Sequence, residues 1–122
     1  MSSERILMPN SLAFATRSVF AYRYLSEEKK EYVLSKQMLR SGTSIGANIA
    51  EAQYGSSRKD FLNKLYIALK ECAETLYWLE LLYSCDYISR TEYDSLHSDC
   101  EELRKLLSSI TKSVRDGTIP NF

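Results

Sequence analysis

Towards its end, the chain carries apolar side chains in strict alternation of three and four positions. The series consists of Tyr93, Leu96, Cys100, Leu103, Leu107, Ile110 and Val114. This spacing places all of them on one face of an α-helix. Ser89-Arg-Thr-Glu92 precedes the series as a capping box, and Gly117 follows it as a favoured helix-ending residue. The sequence therefore predicts a helix over about residues 89–116.

The beginning of the chain also follows a helical pattern. Only Pro9 and Pro120 are prolines, and both lie near the ends, so no proline interrupts a helix in the interior. Asn10 or Ser11 is a candidate N-cap for a first helix over about residues 10–25. Its apolar stripe is predicted to comprise Leu12, Ala15, Val19 and Tyr22.

Two further start signals divide the middle of the chain. Ser26, which two glutamates follow, predicts a second helix over about residues 27–54, with Gly55 available to end it. Ser57-Arg-Lys-Asp60 resembles a capping box and predicts a third helix over about residues 57–85. The apolar stripe of that helix is predicted to comprise Phe61, Leu65, Ala68, Cys72, Leu76, Leu79 and Tyr83.

Four helices with short connections predict an all-α fold, an antiparallel up-down-up-down four-helix bundle. We expect a single domain over residues 1–122, with a short tail at 118–122, because this length supports one core but not two. No apolar run approaches the roughly 20 residues of a membrane span, so we expect no membrane partner. The first residues, MSSERILMPNS, lack the pattern of a signal peptide, which predicts a cytoplasmic protein.

Catalytic and metal chemistry find little support in the sequence. His97 is the only histidine, whereas a di-metal centre in a bundle needs a second histidine motif and inward carboxylates, so we expect His97 on the solvent face. Cys72, Cys85 and Cys100 lack C-x-x-C spacing and are expected to be reduced. No nucleophile elbow occurs, and the glycines at 42–46 lack the lysine of a P-loop. We therefore predict a non-enzymatic protein with no cofactor and no metal.

Residues 40–52, RSGTSIGANIAEA, carry charge only at Arg40 and Glu51. Two glycines inside a helix cost up to ~1 kcal/mol each relative to alanine, so close packing must offset that penalty. We expect this helix to be covered on most sides and its polar stripe to find buried partners, with Glu71 and Glu74 pairing with Arg40 and Asn48. The predicted buried polar network comprises Arg40, Ser44, Asn48, Glu51, Glu71 and Glu74.

The third helix has more apolar surface than one stripe requires, which favours contact with a partner. The predicted oligomer interface comprises Tyr66, Tyr77, Trp78, Leu81 and Leu82. Charge is also uneven along the chain, although the net charge is zero. Residues 1–70 hold eleven Lys and Arg against six Asp and Glu, and residues 71–122 hold five against ten. This asymmetry predicts either one basic face for a polyanion or contacts between oppositely charged copies.

The stretch from Arg40 to Glu51 resembles the R-x-x-x-S-I-x-x-N-I-A-E signature of a four-helix-bundle family, that of the 23S ribosomal RNA intervening-sequence protein. The similarity includes Gln37 before the signature, and the segment from Phe61 to Glu74 resembles the family's F-x-x-x-L-x-I-A-x-x-S-x-x-E segment. Ala52 departs from the glycine common in the family. The resemblance implies a bundle that assembles into a ring-like homopentamer.

Relatives implied by this resemblance include the accessory variability protein of diversity-generating retroelements, which binds a reverse transcriptase and nucleic acid through a basic surface. Three hypotheses follow for this chain: an oligomeric bundle that binds RNA, DNA or a nucleoprotein, a protein–protein adaptor, and an enzyme or ligand carrier that uses Arg40, Asn48, Glu51 and Glu74. The candidate nucleic-acid contacts are Arg17, Arg23, Lys36, Arg58, Lys59 and Lys64.

Overall fold

The computed structural model describes residues 3–117, with side chains from Arg5 onward. In this range the chain forms four helices and no strand: α1 (Ser3–Glu27), α2 (Leu34–Ala52), α3 (Arg58–Ser84) and α4 (Arg90–Arg115). The all-α prediction is confirmed. None of these helices is both long and apolar enough to cross a bilayer. The tail predicted at 118–122 lies outside the described residues.

Contacts between the helices reveal their directions. Ser11 of α1 lies against Gly46 of α2, whereas Ser18, later in α1, lies against Gly42, earlier in α2. The same reversal relates α2 to α3, α3 to α4, and α1 to α4. Each helix packs on two neighbours, and within residues 3–117 the diagonal pairs α1/α3 and α2/α4 have no Cα atoms within 8 Å of each other. The result is an antiparallel bundle with helices alternating up and down.

The two later helices start and bury their faces as predicted. Ser57 caps α3 by accepting the N–H of Asp60 at 3.1 Å, and Ser89 and Glu92 form the reciprocal capping box of α4. Gly117 ends α4 with a φ of 76°, a conformation that glycine adopts without strain. All members of the predicted α3 and α4 stripes are buried except Tyr93, Leu76 and Tyr83, which are half-buried.

The predicted start of α1 at Asn10 or Ser11 is wrong, because the helix already exists at Ser3 and contains Pro9. Proline removes one N–H donor but fixes φ at a value that suits a helix. Leu7, in the turn before Pro9, is fully buried. Burial of this leucine offsets the lost hydrogen bond.

The predicted core face of α1 is also wrong. Leu12 is 65% exposed, and the other three members of the predicted stripe, Ala15, Val19 and Tyr22, are only half-buried. The fully buried side chains are instead Leu7, Ser11, Phe14, Ser18 and Leu25. Both serine hydroxyls are satisfied locally, since Ser11 donates to Met8 O at 2.8 Å and Ser18 to Phe14 O at 3.0 Å. Serine can therefore occupy core positions that a count of apolar residues overlooks.

The predicted start of α2 near residue 27 is wrong, since α2 begins at Leu34. The Ser26 hydroxyl donates to Tyr22 O at 2.7 Å and so belongs to the last turn of α1. Glu31 stabilises the start of α2 instead. Its carboxylate accepts the N–H groups of Val33, Leu34 and Ser35 at 3.1, 2.9 and 2.6 Å.

Candidate functional surfaces

The two glycines of RSGTSIGANIAEA let α1 and α2 approach closely. A Cβ atom at Gly42 would overlap the Ser18 hydroxyl, and a Cβ at Gly46 would lie 3.1 Å from Ser11 Oγ. This pair of glycines therefore has a structural role within the chain. Its partner is a pair of buried serines on α1, which the sequence prediction did not identify.

Arg40 bridges α2 to α3 at the surface. Its guanidinium donates to Glu71 at 3.2 Å and to Glu74, whose carboxylate also accepts Trp78 Nε1–H at 3.0 Å. The pKa of Glu74 lies below its ordinary value because its carboxylate accepts these hydrogen bonds. The bond from Arg40 has the larger effect and the bond from Trp78 the smaller. The expected pairing is thus present, but 49% of the Arg40 side chain is exposed, so the prediction of burial is wrong.

The rest of the predicted network does not join this cluster. Asn48 donates to Ser44 O at 2.8 Å and not to Glu71 or Glu74, and the Ser44 hydroxyl donates to the Arg40 carbonyl at 2.7 Å. Glu51 is exposed and pairs with Lys64 at 2.8 Å. The predicted burial of Glu51 is therefore wrong as well. The physical reason is that α2 packs against only α1 and α3, which leaves its polar stripe open to water.

These polar groups do not converge on a ligand. Throughout the described part of the chain, every buried side-chain nitrogen and oxygen has a hydrogen-bond partner. No group of three His, Cys, Asp or Glu within residues 3–117 is arranged to hold a metal ion.

His97 is half-buried beside the Tyr93 ring, with the ring centroids 5.2 Å apart. The expectation that His97 lies on the solvent face is therefore only partly correct.

The predicted oligomer interface on α3 divides between core and surface. Leu82 is fully buried, so its assignment to the interface is wrong: three residues after Leu79, it shares the inward face of the helix. Tyr77 is 58% exposed and packs edge-on against Trp78. Tyr66, Trp78 and Leu81 are half-buried.

A further exposed apolar surface lies on α1, where the sequence analysis predicted none. Leu12, Phe20 and Tyr24 are all exposed, at outward positions where a solvated helix usually carries Lys or Glu. Phe20 and Tyr24 also line a groove of about 240 Å³ between α1 and α4, with Ile88 and Leu96 on its other side. The exposure of Leu12, Phe20 and Tyr24 can be predicted only once the correct core face of α1 is known.

The six candidate nucleic-acid contacts do not share one face. Arg23 and Lys36 lie where α1 ends and α2 begins, whereas Arg58, Lys59 and Lys64 lie where α3 begins. Because α3 has 27 residues, these two ends are separated by about 40 Å. Neither end includes Arg17, which is held between the helices by an ion pair to Asp99 at 2.6 Å and bonds to Ser95. The six residues therefore do not form one cluster within a single chain.

One end of the bundle nevertheless concentrates positive charge. Arg58 donates to Val114 O at 3.2 Å and so holds the start of α3 against the end of α4. This contact places the end of α4 at the same end of the bundle as the start of α3. Lys112 and Arg115, from the half of the sequence with excess acid, therefore lie at that end. We call this region the basic end, and it comprises Arg58, Lys59, Lys64, Lys112 and Arg115.

The carboxylates on α2–α4 at the basic end are Glu51, Asp60 and Asp116, so five cations face three anions. The pKa of Asp60 is lowered by two hydrogen bonds from Ser56. The bond from the Ser56 hydroxyl has the larger effect and the bond from its N–H the smaller. Lys59 and Lys112 are exposed and form no ion pair with any side chain in residues 5–117. Their ammonium groups are therefore available to an outside anion.

Two comparisons relate the chain to known proteins. Residues 5–109 match the sequence model of the 23S rRNA-intervening sequence protein family. The chain belongs to this family. A crystal structure of a protein with unknown function from the S23 ribosomal protein family of Bacteroides thetaiotaomicron is 55% identical in sequence, with a TM-score of 0.89. The alignment covers 90% of this chain and 98% of that one.

Membership of the 23S rRNA-intervening sequence protein family confirms the resemblance read from residues 40–51. None of the curated proteins compared with the chain matches it. The similar crystal structure supports the fold of the present chain, and its own protein is described as having unknown function.

Proposed function

We propose that this chain is a non-enzymatic, oligomeric bundle that binds RNA or DNA at its basic end, as an accessory or scaffold for a nucleic-acid-processing protein. The observation that carries the proposal is the hydrogen bond from Arg58 to Val114 O. It places the end of α4, with Lys112 and Arg115, at the same end of the bundle as the start of α3, with Lys59. The family description refers to 23S rRNA, which makes RNA the first ligand to test.

A chain of zero net charge binds a polyanion only where its cations are concentrated. An excess of two positive charges at one end is small for a single copy. Assembly increases the positive charge available to one nucleic-acid strand, because several basic ends are held together. Once one end is bound, the others are present at a high effective concentration. The ring-like homopentamer implied by the family resemblance would present five. Binding by the assembled protein then requires no strongly basic chain.

The apolar surface formed by Leu12, Phe20 and Tyr24 is our choice for the contact between copies. Phe20 and Tyr24 are exposed one turn apart on α1, and Leu12 is exposed about two turns before Phe20. Burying such apolar side chains against a second copy is favourable. On α3, only Tyr77 among the predicted interface residues is as exposed. The basic end lies mainly on α3 and α4, so assembly through α1 leaves its cations accessible.

Matched charge reversals test the nucleic-acid proposal. We expect a labelled RNA to bind at 50 mM salt and to be released as the salt concentration rises, because cations displace counterions from phosphates. The K59E/K112E variant should lose most of this binding. The R23E/K36E variant changes the net charge equally at the opposite end and should retain it. Absence of binding at 50 mM salt, or equal loss in both variants, would contradict the proposal.

A protein–protein adaptor is the second candidate function, favoured by the apolar groove between α1 and α4. The groove and the neighbouring rings of Phe20 and Tyr24 suit a protein surface and contribute nothing to phosphate binding. The adaptor function predicts assembly or partner binding with no detectable affinity for RNA or DNA at 50 mM salt. The titration described above therefore separates the two candidates.

A further inference from the structure

We propose that the basic end binds single-stranded nucleic acid, with the ring of Tyr54 stacking on an unpaired base. This inference rests on the proposed function and specifies its ligand. Tyr54 is 90% exposed, more than any other large apolar side chain described as exposed. It lies in the turn that joins α2 to α3, four residues before Arg58.

The backbone around Tyr54 is held in place. Its N–H donates to Glu51 O at 3.0 Å, and the N–H of Gly55 donates to Ala52 O at 3.1 Å. Two residues further on, Ser57 caps α3. The ring therefore projects into solvent from an ordered turn, and stacking a base on it requires little ordering of the backbone.

The groups around Tyr54 offer one site that suits a base and a different site that suits a phosphate. Tyr54 lines a hollow of about 490 Å³ together with Glu51, Asp60, Asn63 and Lys64. Lys64 is already paired with Glu51. The carboxylates and the Asn63 amide suit the hydrogen-bonding edge of a base and disfavour a phosphate. Lys59, the second residue of α3, is exposed and forms no ion pair within residues 5–117, so it can supply a cation for a neighbouring phosphate.

An exposed aromatic ring beside cations is the arrangement that binds single strands, because every base offers a face for stacking and every phosphate a charge. In a duplex the base faces are already stacked on one another and cannot reach a side chain at the surface. The geometry therefore selects unpaired RNA or DNA, including the loops of folded RNA.

The test compares two labelled RNAs of equal length, one unstructured and one fully paired, at 50 mM salt with the full chain. We expect the unstructured RNA to bind more tightly. Tyr54→Ala should weaken its binding about 5- to 100-fold, the effect of losing one stacked base, and leave the salt dependence unchanged. Tyr54→Phe keeps the ring and should bind like wild type. Tyr32→Ala, which removes a 55% exposed tyrosine at the opposite end, is the matched control.

Each other outcome overturns the inference in a recognisable way. Equal affinity for paired and unpaired RNA with no effect of Tyr54→Ala refutes stacking, and the proposed function survives if K59E/K112E still abolishes binding. No binding of either RNA refutes both proposals. A lower oligomer mass in Tyr54→Ala, measured by light scattering, would show that the ring contacts another copy of the chain instead of a base.

Discussion

Glu31 is the residue on which the start of the second helix depends. Three backbone N–H groups that would otherwise lack partners converge on its carboxylate. Burial alone would raise the pKa of Glu31, but these hydrogen bonds outweigh it and hold the pKa below its ordinary value of 4.5. The usual search for Ser, Thr, Asp or Asn directly before a helix does not find this arrangement, because the acceptor lies two residues before the N-cap Val33.

Replacing Glu31 with Gln should lower the free energy of unfolding at pH 7 by about 1–2 kcal/mol, the usual effect of losing a helix N-cap. Because the pKa of Glu31 is lower in the folded chain, its stabilisation is complete above pH 4.5 and is lost as the pH falls through the folded value. Urea unfolding between pH 7 and pH 3 measures the difference. Glu28→Gln, an exposed neighbour, should have little effect, and equal losses in both variants would contradict this role.

Gly42 shows how close packing reverses an ordinary substitution effect. Alanine normally stabilises a helix relative to glycine by up to ~1 kcal/mol. At position 42 the added methyl would overlap the Ser18 hydroxyl, so we expect Gly42→Ala to destabilise the chain by about 1–3 kcal/mol. Adding Ser18→Ala should recover part of the loss in a double-mutant cycle of urea unfolding. A more stable Gly42→Ala variant would contradict the close contact of α1 and α2.

At the scale of whole elements, α3 and α4 were predictable and α1 and α2 less so. The later helices combine a capping residue in sequence with an apolar stripe of period 3.6, so two independent signals agree. In α1 and α2 the core contains Ser11, Ser18 and Ser35, which read as polar in a sequence. Their burial depends on hydrogen bonds to backbone carbonyls and on glycines of the facing helix, which become visible only once the helices are packed.

The contact between α3 and α4 protects two of the three thiols. Cys100 donates to Cys72 O at 3.6 Å, and both residues are fully buried. The hydrogen bond with Cys72, together with burial, raises the pKa of Cys100, so its reactive thiolate is scarce. Cys85, which ends α3, is exposed.

We therefore expect a maleimide reagent to modify one thiol per native chain rapidly and all three after unfolding in urea. Mass spectrometry of the native reaction measures the count. Cys85→Ser should remove the rapid reaction entirely. Rapid modification of two or three thiols in the native chain would show that the α3–α4 contact opens readily.

At the scale of the molecule, the location of charge follows from topology. Lys112 and Arg115 belong to the half of the sequence with excess acid, yet the antiparallel order of α3 and α4 places them at the same end of the bundle as Arg58 and Lys59. A charge count along the sequence cannot find such a cluster, because its two groups of cations are about fifty residues apart in the sequence. The candidate contacts chosen with that count also include Arg23 and Lys36, which lie at the opposite end of the bundle.

Assembly through α1 predicts a mass well above the 14.1 kDa of one chain in light scattering. The Leu12→Glu/Phe20→Glu variant should shift that mass towards 14.1 kDa, because charge on an apolar contact opposes its burial. Tyr77→Glu, an equally exposed aromatic position on α3, should leave the mass unchanged. A monomeric wild-type chain would contradict assembly, and a shift only in Tyr77→Glu would place the contact on α3.

Hydrogen–deuterium exchange with and without single-stranded RNA at 50 mM salt tests the nucleic-acid proposal most directly, because it locates the contact without any substitution. We predict slower exchange on RNA binding in residues 53–60 and 112–117, which together form the tip of the basic end. Exchange in residues 28–36 at the opposite end should not change. Protection confined to residues 28–36, or no protection anywhere at this salt concentration, would contradict the proposal.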